Sequence, residues 1–304
     1  MKRKNFIKQL GGVSALAMVG GLTLPSFIGK QKRHITILHT NDTHSHIEPF
    51  KTTHSRNPNR GGVARRATLI EQIRKENQHT LLLDAGDIFQ GTPYFNYFEG
   101  ELEFKLMSML KYDVATLGNH DFDNSIDGLF KQIPNAKFDF VSANYDFKNT
   151  VLDTHIKPYK IIVKDNIKIG IFGLGIDLEG LVNKKMYKET GYLNPVEMTQ
   201  DITNKLKNEE KCDLIICLSH LGYYYKNNPN KISDLNLAKV TKDIDLIIGG
   251  HTHTFLPKPT LIKNIDDKNL LVNQVGAYGI YLGRVDFYFD EKNIKSSKET
   301  TILV

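Results

Sequence analysis

The stretch Val114-Ala115-Thr116-Leu117-Gly118-Asn119-His120-Asp121-Phe122-Asp123 joins a short apolar run to a group of polar side chains directly after it. The stretch Thr80-Leu81-Leu82-Leu83-Asp84-Ala85-Gly86-Asp87 has the same organisation. Short apolar runs that end in glycine and polar residues are typical of buried β-strands followed by a turn. Both stretches therefore predict a strand with potential metal-ligating or catalytic side chains at its carboxyl end.

The same pattern recurs along the chain and decides the fold class. Further apolar runs occupy residues 35–38, 138–141, 169–172, 214–218 and 246–248. Helical patterns separate several of these runs, at 63–75, at 102–110 and after Asn194-Pro195, where asparagine is a good N-cap and proline a good first helical residue. Because strands and helices alternate, we predict an α/β protein.

Other segments indicate antiparallel strands in addition. Lys164-Asp165-Asn166 lies between the apolar runs 161–163 and 167–171, which is typical of a hairpin, and residues 270–274 and 284–289 resemble late antiparallel strands. We therefore predict a two-sheet α/β sandwich rather than a purely parallel sheet. No internal repeat or flexible linker divides the chain, so we expect one catalytic domain over residues 34–292 and a C-terminal tail over 293–304.

The amino-terminal segment carries all of the excess positive charge. Of the 40 Lys and Arg residues in the chain, 7 lie in residues 1–33 without any acidic residue, which leaves 40 − 7 = 33 basic against 34 acidic residues elsewhere. This balance disfavours a nucleic-acid-binding protein. The motif G-x-x-x-x-G-K-[ST] does not occur, which excludes a P-loop.

Residues 1–30 have the layout of an export signal, with a basic start and an apolar stretch over 11–24. The stretch is too short and glycine-rich to predict a stable membrane span. Arg3-Lys4-Asn5-Phe6 resembles the twin-arginine export pattern, with lysine in place of the second arginine. We therefore expect a periplasmic or extracellular protein; an uncleaved N-terminal anchor is the alternative.

Cys212 and Cys217 lie in and beside one predicted strand. Five residues of extended chain separate them by roughly 16 Å, whereas the Cα atoms of a disulfide lie within about 7 Å. The two cysteines are therefore not expected to pair with each other.

Five polar motifs follow predicted strands and contain side chains that bind divalent metals. They are Asn41-Asp42-Thr43-His44, Asp84-Ala85-Gly86-Asp87, Gly118-Asn119-His120-Asp121, Ser219-His220 and Gly249-Gly250-His251-Thr252-His253. Carboxylate oxygens and neutral imidazole nitrogens suit first-row divalent metals. Each motif alone also fits a turn or a polar strand end, but five at successive strand ends predict a metal centre. The other histidines lack such a motif, although His46 lies close enough in sequence to line the pocket.

The five motifs in this order resemble the calcineurin-like metallophosphoesterases, and specifically their 5′-nucleotidase branch. Supporting stretches are Ile37-Leu38-His39-Thr40-Asn41-Asp42, Gly61-Gly62-Val63-Ala64-Arg65, Gly86-Asp87 with Gly91-Thr92, Gly118-Asn119-His120-Asp121-Phe122-Asp123 and Leu282-Gly283-Arg284. The resemblance covers about residues 34 to 290 and implies that this region is the metal-binding domain. Full-length members of that branch continue into a second, substrate-binding domain, and the resemblance over residues 34 to 290 leaves no room for one in this sequence. We therefore expect no such domain here and a separate partner chain as its possible source.

The resemblance also implies roles for individual residues. One metal ion would be held by Asp42, His44, Asp87 and His253, and a second by Asp87, Asn119, His220 and His251. Asp87 would bridge the two ions. His120 would stabilise the transition state and assist the leaving oxygen, with Asp123 orienting it and Asp121 as the rival for that role. Mixed oxygen and nitrogen ligation leaves Zn²⁺, Mn²⁺, Fe and Co²⁺ open.

The sequence thus predicts an exported two-metal hydrolase of small phosphorylated substrates, with nucleotide phosphomonoesters first. Hydrolysis of 2′,3′-cyclic nucleotides or of nucleotide-sugar diphosphates is the alternative within the same superfamily. A metal-binding subunit or interaction module without activity is the alternative outside it. Replacement of a ligand or of His120 would favour that last hypothesis, and none of them is replaced.

Overall fold

The computed structural model describes residues 33–290 and 295–304, which belong to one compact unit, Arg33–Val304. The export signal expected over residues 1–30 lies outside the described residues. The described strands are β1 (Arg33–Thr40), β2 (Thr80–Asp84), β3 (Val114–Ala115), β4 (Asp139–Phe140), β5 (Tyr145–Asp146), β6 (Tyr159–Lys164), β7 (Ile167–Leu174), β8 (Gly191–Tyr192), β9 (Leu214–Ser219), β10 (Leu246–Gly249), β11 (Thr260–Lys263), β12 (Asn269–Asn273), β13 (Tyr281–Phe289) and β14 (Lys295–Leu303).

The α-helices of the described region are mostly short. They are α1 (Val63–Glu76), α2 (Pro93–Phe98), α3 (Glu101–Met109), α4 (Ser125–Gln132), α5 (Lys184–Tyr187), α6 (Pro195–Asn204) and α7 (Asp234–Val240). Single turns of 3₁₀-helix occupy His120–Phe122 and Ile133–Asn135, and α6 continues into a π-helical turn, Lys205–Glu209. None of the described helices has the length and apolar character needed to cross a membrane.

Two six-stranded sheets and a small two-stranded sheet, β5-β8, contain the described strands, and the two large sheets confirm the predicted α/β sandwich. The first sheet has the order β14-β13-β1-β2-β3-β4, and the second has the order β11-β12-β10-β9-β7-β6. In the first sheet β1 to β4 run parallel, while β13 is antiparallel to both β1 and β14. In the second, β7, β9, β10 and β12 run parallel between the antiparallel edge strands β6 and β11.

Apolar side chains fill the space between the sheets and the space under the helices. Ile35 and Ile37 of β1 join the core that faces the second sheet, whereas Leu38 joins the core under α1 and α3. On the second sheet, Cys217 and Ile247 face α6 and α7. Parallel strands that are covered on both faces have continuous apolar sequences, which explains why the sequence pattern predicted these strands.

The hairpin between β6 and β7 is confirmed. Lys164 pairs with Ile167, so Asp165 and Asn166 form a two-residue loop. Their φ angles are 49° and 57°, as a type I′ turn requires. Asparagine and aspartate tolerate this left-handed conformation better than most residues.

The two late runs are strands with antiparallel partners, as predicted, since β12 pairs antiparallel with β11, and β13 pairs antiparallel with β1 and β14. Two other expectations about strands are corrected. The tail expected over 293–304 is wrong for its described part, since β14 pairs with β13 from Tyr281↔Leu303 to Phe289↔Lys295. The strands at 114–117 and 138–141 are only two residues long, because the chain leaves the first sheet there to form the loops described below.

Candidate metal centre

The five polar motifs meet at one edge of the sandwich. They follow β1, β2 and β3, which are neighbours in the first sheet, and β9 and β10, which are neighbours in the second. Parallel strands bring their carboxyl ends to the same edge of a sheet, and there their loops form a crevice. The structure thus brings together all seven predicted ligands, in two adjoining groups.

The first group consists of Asp42, His44 and His253, whose ligand atoms all lie within 4.8 Å of one another. His253 Nε2 lies 3.4 Å from Asp42 Oδ1. The Nε2 atoms of His44 and His253 are only 2.9 Å apart. Two imidazole nitrogens that converge beside a buried carboxylate have the donor set of a divalent metal site.

The second group consists of Asp87, His220 and His251, again within 4.8 Å of one another, and Asn119 adjoins it. His251 Nδ1 lies 2.8 Å from Asn119 Oδ1. His220 Nε2 lies 3.1 Å from Asp87 Oδ2. No hydrogen bond among the described residues satisfies this fully buried nitrogen. A buried polar atom without a partner is costly, and a metal ion would satisfy it.

Asp87 lies between the two groups. Its Oδ2 atom is 3.8 Å from His44 Nε2 of the first group and 3.1 Å from His220 Nε2 of the second. Its other oxygen, Oδ1, accepts the backbone N–H of His120 at 2.8 Å. One carboxylate therefore faces both groups, as a bridging ligand must.

Backbone carbonyl groups orient two of the histidines. Nδ1 of His220 lies 2.7 Å from the carbonyl oxygen of Ala85, and Nδ1 of His44 lies 3.2 Å from that of Phe89. A carbonyl only accepts hydrogen bonds, so Nδ1 carries the proton in each neutral ring and Nε2 keeps its lone pair. Hydrogen bonds of this kind are usual for metal-binding histidines.

The negative charges of the carboxylates at the centre favour binding of a cation. Among the described residues, the ionisable groups within ion-pair distance of the buried carboxylates Asp42 and Asp87 are histidines, without any Lys or Arg. Burial by itself lowers the pKa of His220, but the carboxylates of Asp87 and Asp42 raise it to about 10. Burial, aided by the charge of His220, lowers the pKa of His251 to about 4. A proton on His220 therefore offsets part of the negative charge that a metal ion would neutralise.

Unusual backbone conformations hold the ligands in place. Five of the seven predicted ligands have positive φ angles: Asp42 at 49°, His44 at 46°, Asp87 at 55°, His251 at 72° and His253 at 50°. Such conformations are uncommon for non-glycine residues and concentrate at functional sites. The surrounding loops thus fix these ligands in positions that an unconstrained chain would disfavour.

Gly118 makes room for the carboxylate of Asp87. A Cβ atom at this position would lie 2.1 Å from Asp87 Oδ1 and 2.5 Å from the backbone nitrogen of Asp87. Only glycine allows the loops after β2 and β3 to approach this closely.

His120 and its neighbours lie beside the two groups of ligands. His120 Nδ1 is 2.8 Å from Asp123 Oδ2, and this hydrogen bond is the main reason that the pKa of His120 is raised. The rival orienter, Asp121, is fully buried and turned away from the ring. Its two oxygens accept the backbone N–H groups of Asp87, Ile88, Phe89 and Gly118 at 2.8 to 3.1 Å. Asp121 thus holds the loop that carries Asp87.

An opening of about 390 Å³ leads to the centre, and several of the residues that line it lack a strong sequence signal. His44, His120 and His253 form its inner side, and its remaining lining residues are His46, Phe50, His54, Gln90, Gly91 and Tyr278. The expected position of His46 at the pocket agrees with this arrangement. Phe50 and Tyr278 could not be assigned from the sequence, because they belong to no ligand-type motif.

Known proteins resemble this chain over most of its described length. Residues 35–255 match the calcineurin-like phosphoesterase family model. A snake venom 5′-nucleotidase from Crotalus adamanteus is 37% identical over 292 residues, which cover 88% of this chain and 48% of that protein. The trifunctional nucleotide phosphoesterase of Bacillus subtilis is 33% identical over 302 residues, covering 89% of this chain and 19% of that protein.

A solved structure extends the likeness to three dimensions. The 5′-nucleotidase precursor from Thermus thermophilus superposes with a TM-score of 0.80 and 34% sequence identity, over 90% of this chain and 55% of that one. The chain thus spans about half the length of the relatives named 5′-nucleotidases that it matches here. The fold, the family model and these relatives agree with the resemblance carried by the five motifs, and the chain belongs to the calcineurin-like phosphoesterase family.

Proposed function

We propose that this protein is an exported, two-metal phosphoric ester hydrolase that acts on nucleotides. The observation that carries the proposal is the pair of ligand groups that share Asp87 at the edge of the sandwich. The names of the relatives, 5′-nucleotidase and nucleotide phosphoesterase, support a nucleotide as the substrate.

Two divalent cations fit the side chains that are present. The first would be held by Asp42, His44, Asp87 and His253, and the second by Asp87, Asn119, His220 and His251. When bound, such a pair of ions supplies positive charge to the phosphoryl oxygens and a nucleophile at neutral pH. Zn²⁺, Mn²⁺, Fe and Co²⁺ all suit this mixture of oxygen and nitrogen donors.

His120 is the residue that we assign to the leaving group. Its pKa is raised by the hydrogen bond to Asp123, so the ring is well suited to carry a proton near neutral pH. Asp123 holds Nδ1, which leaves Nε2 to donate a proton to the ester oxygen as the P–O bond breaks. The His120 side chain is 37% exposed and lines the opening, so a substrate can reach it.

A panel of substrates tests the proposal. The purified chain, supplied with Mn²⁺ or Zn²⁺, should release phosphate from nucleoside 5′-monophosphates and lose this activity on chelation. Turnover of 2′,3′-cyclic nucleotides or nucleotide sugars in place of monophosphates would favour the alternative hydrolases, which would use the same centre. Failure on every member of the panel would support the metal-binding or interaction module instead.

Export is a separable part of the proposal, motivated by residues 1–30. Cell fractionation of the full chain should find it in the periplasmic or extracellular fraction, and a variant lacking residues 1–30 should stay in the cytoplasm. Equal distribution of both forms would count against an export signal. The separate partner chain expected to supply a substrate-binding domain has no support among the relatives, and the proposal does not include it.

A further inference from the structure

Aromatic rings line one side of the opening to the metal centre. The ring centroids of His46 and Phe50 are 4.7 Å apart with an interplanar angle of 26°, which is a stacked pair. The His54 ring lies 4.5 Å from Phe50 on the loop that follows, and the Tyr278 ring lies 4.6 Å from His46. We call these four residues the aromatic wall.

The aromatic wall is continuous with the predicted ligands. The Tyr278 ring lies 5.8 Å from the ring of His44 and 5.6 Å from that of His253, both in the first ligand group. All four wall residues line the same opening as His120. The volume of about 390 Å³ falls in the range of about 300–1,000 Å³ found for small-molecule sites.

Phe50 is not part of the hydrophobic cores of the described residues. It belongs to none of the three core clusters of the described residues, and the rings nearest to it are His46, His54 and Tyr278 of the wall itself. Its loop is held by backbone hydrogen bonds with Arg60 and Asn59, at 2.9 and 3.1 Å. The Phe50 ring is partly exposed and contacts other rings that line the opening, so it is available to a ligand.

We propose that the aromatic wall is a stacking subsite for the nucleobase of a nucleoside monophosphate. This inference rests on the proposed function, because the metal centre must hold the phosphoryl group. His120, assigned to the leaving oxygen, lines the same opening as Phe50, so the nucleoside extends from His120 into the space beside the wall. Every base has a π-face, so stacking would bind all nucleobases, and the larger purines more tightly.

Comparison of two substrates that differ only in the base tests this subsite. Phe50→Ala should lower kcat/KM for adenosine 5′-monophosphate about tenfold, within the range typical for loss of one base-stacking contact, and mainly by raising KM. The same substitution should leave kcat/KM for ribose 5-phosphate unchanged. Phe50→Tyr keeps the aromatic face and should retain the preference. Tyr97→Ala is the matched control, because Tyr97 is 81% exposed and does not line the opening.

Binding of adenosine to the metal-free chain separates this inference from the proposed function. Adenosine has no phosphate, so saturation-transfer NMR can detect it at the wall whether or not the protein hydrolyses esters. Wild-type protein should bind adenosine and show a much weaker signal with ribose, and Phe50→Ala should lose the adenosine signal. A protein that binds adenosine through Phe50 but hydrolyses nothing would overturn the proposed function alone.

Other outcomes overturn the subsite. An equal fall of kcat/KM for both substrates would mean that Phe50 acts on the shape of the loop. An unchanged kcat/KM for adenosine 5′-monophosphate, or the absence of adenosine binding by the wild-type chain, would mean that the base lies elsewhere.

Discussion

Two aspartates of one short segment have different surroundings and hence different predicted roles. Asp123 contacts the ring of His120 at the surface, whereas Asp121 is buried and accepts four backbone N–H groups. The sequence favoured Asp123 as the orienter only through the resemblance, because both residues lie close to His120. Three-dimensional position separates them, since the 3₁₀ turn His120–Phe122 turns the two side chains in different directions.

Asp123→Asn should change the pH dependence of turnover. The hydrogen bond to the Asp123 carboxylate is the largest cause of the raised pKa of His120, so its loss lowers that pKa. A general acid is active below its pKa, and activity therefore falls as the pH rises through it. The alkaline limb of the kcat profile should move to lower pH in the variant. An alkaline limb that stays in place would exclude His120 as the group responsible for it.

Replacement of His120 should separate chemistry from metal binding. His120→Ala should lower kcat by ~10²–10⁴, the range typical of a lost general acid or base, while metal content stays at the wild-type value. Asp87→Ala is the contrasting variant and should lose metal, because Asp87 faces both ligand groups. An unchanged rate for His120→Ala on a substrate with a poor leaving group would contradict the assigned role.

Metal uptake should release protons. The pKa of His220 is about 10 in the metal-free protein, so its ring is protonated at pH 7, whereas a ligating imidazole must be neutral. Metal affinity should therefore rise with pH between neutrality and that pKa. Calorimetric titrations in two buffers with different ionisation enthalpies measure the protons released. Identical heats in both buffers at pH 7 would show that His220 is already neutral.

At the scale of elements, the loop after β2 depends on a side chain of the next loop. Asp121→Ala would leave four N–H groups without their acceptor in a buried position, and each costs about 1–3 kcal/mol if unsatisfied. Partial compensation by water still leaves an expected loss of about 3 kcal/mol or more in the free energy of unfolding. Urea unfolding measures this loss. Asp123→Ala is the control and should change stability little; similar values for both variants would contradict the role given to Asp121.

The secondary structure shows which elements sequence patterns can predict. Buried strands such as β2 and β9 carry continuous apolar runs, and α1 carries apolar residues at helical spacing, so these elements agree with their predictions. β14 has no such run, because an edge strand with its side chains largely exposed is defined by backbone pairing with β13. The run 114–117 predicted a longer strand, but Thr116 and Leu117 are buried in the turn that leads to Asn119.

At the scale of the whole molecule, the meeting of the five polar motifs was predictable because parallel strands align their carboxyl ends. Five separate loops then share one crevice, and the sequence needs only to place ligand-type residues after each strand. The aromatic wall was not predictable in the same way. Phe50 follows β1 and Tyr278 precedes β13, so the two rings meet only because β1 and β13 pair antiparallel in the first sheet.

The metal content of the reconstituted protein tests the central claim most directly. The proposed centre has two candidate ligand groups with Asp87 between them, and it therefore predicts two ions in each chain. Protein stripped of metal, incubated with excess Mn²⁺ or Zn²⁺ and freed of unbound metal should contain two ions per chain by elemental analysis. A content of one ion or none would contradict the two-metal centre.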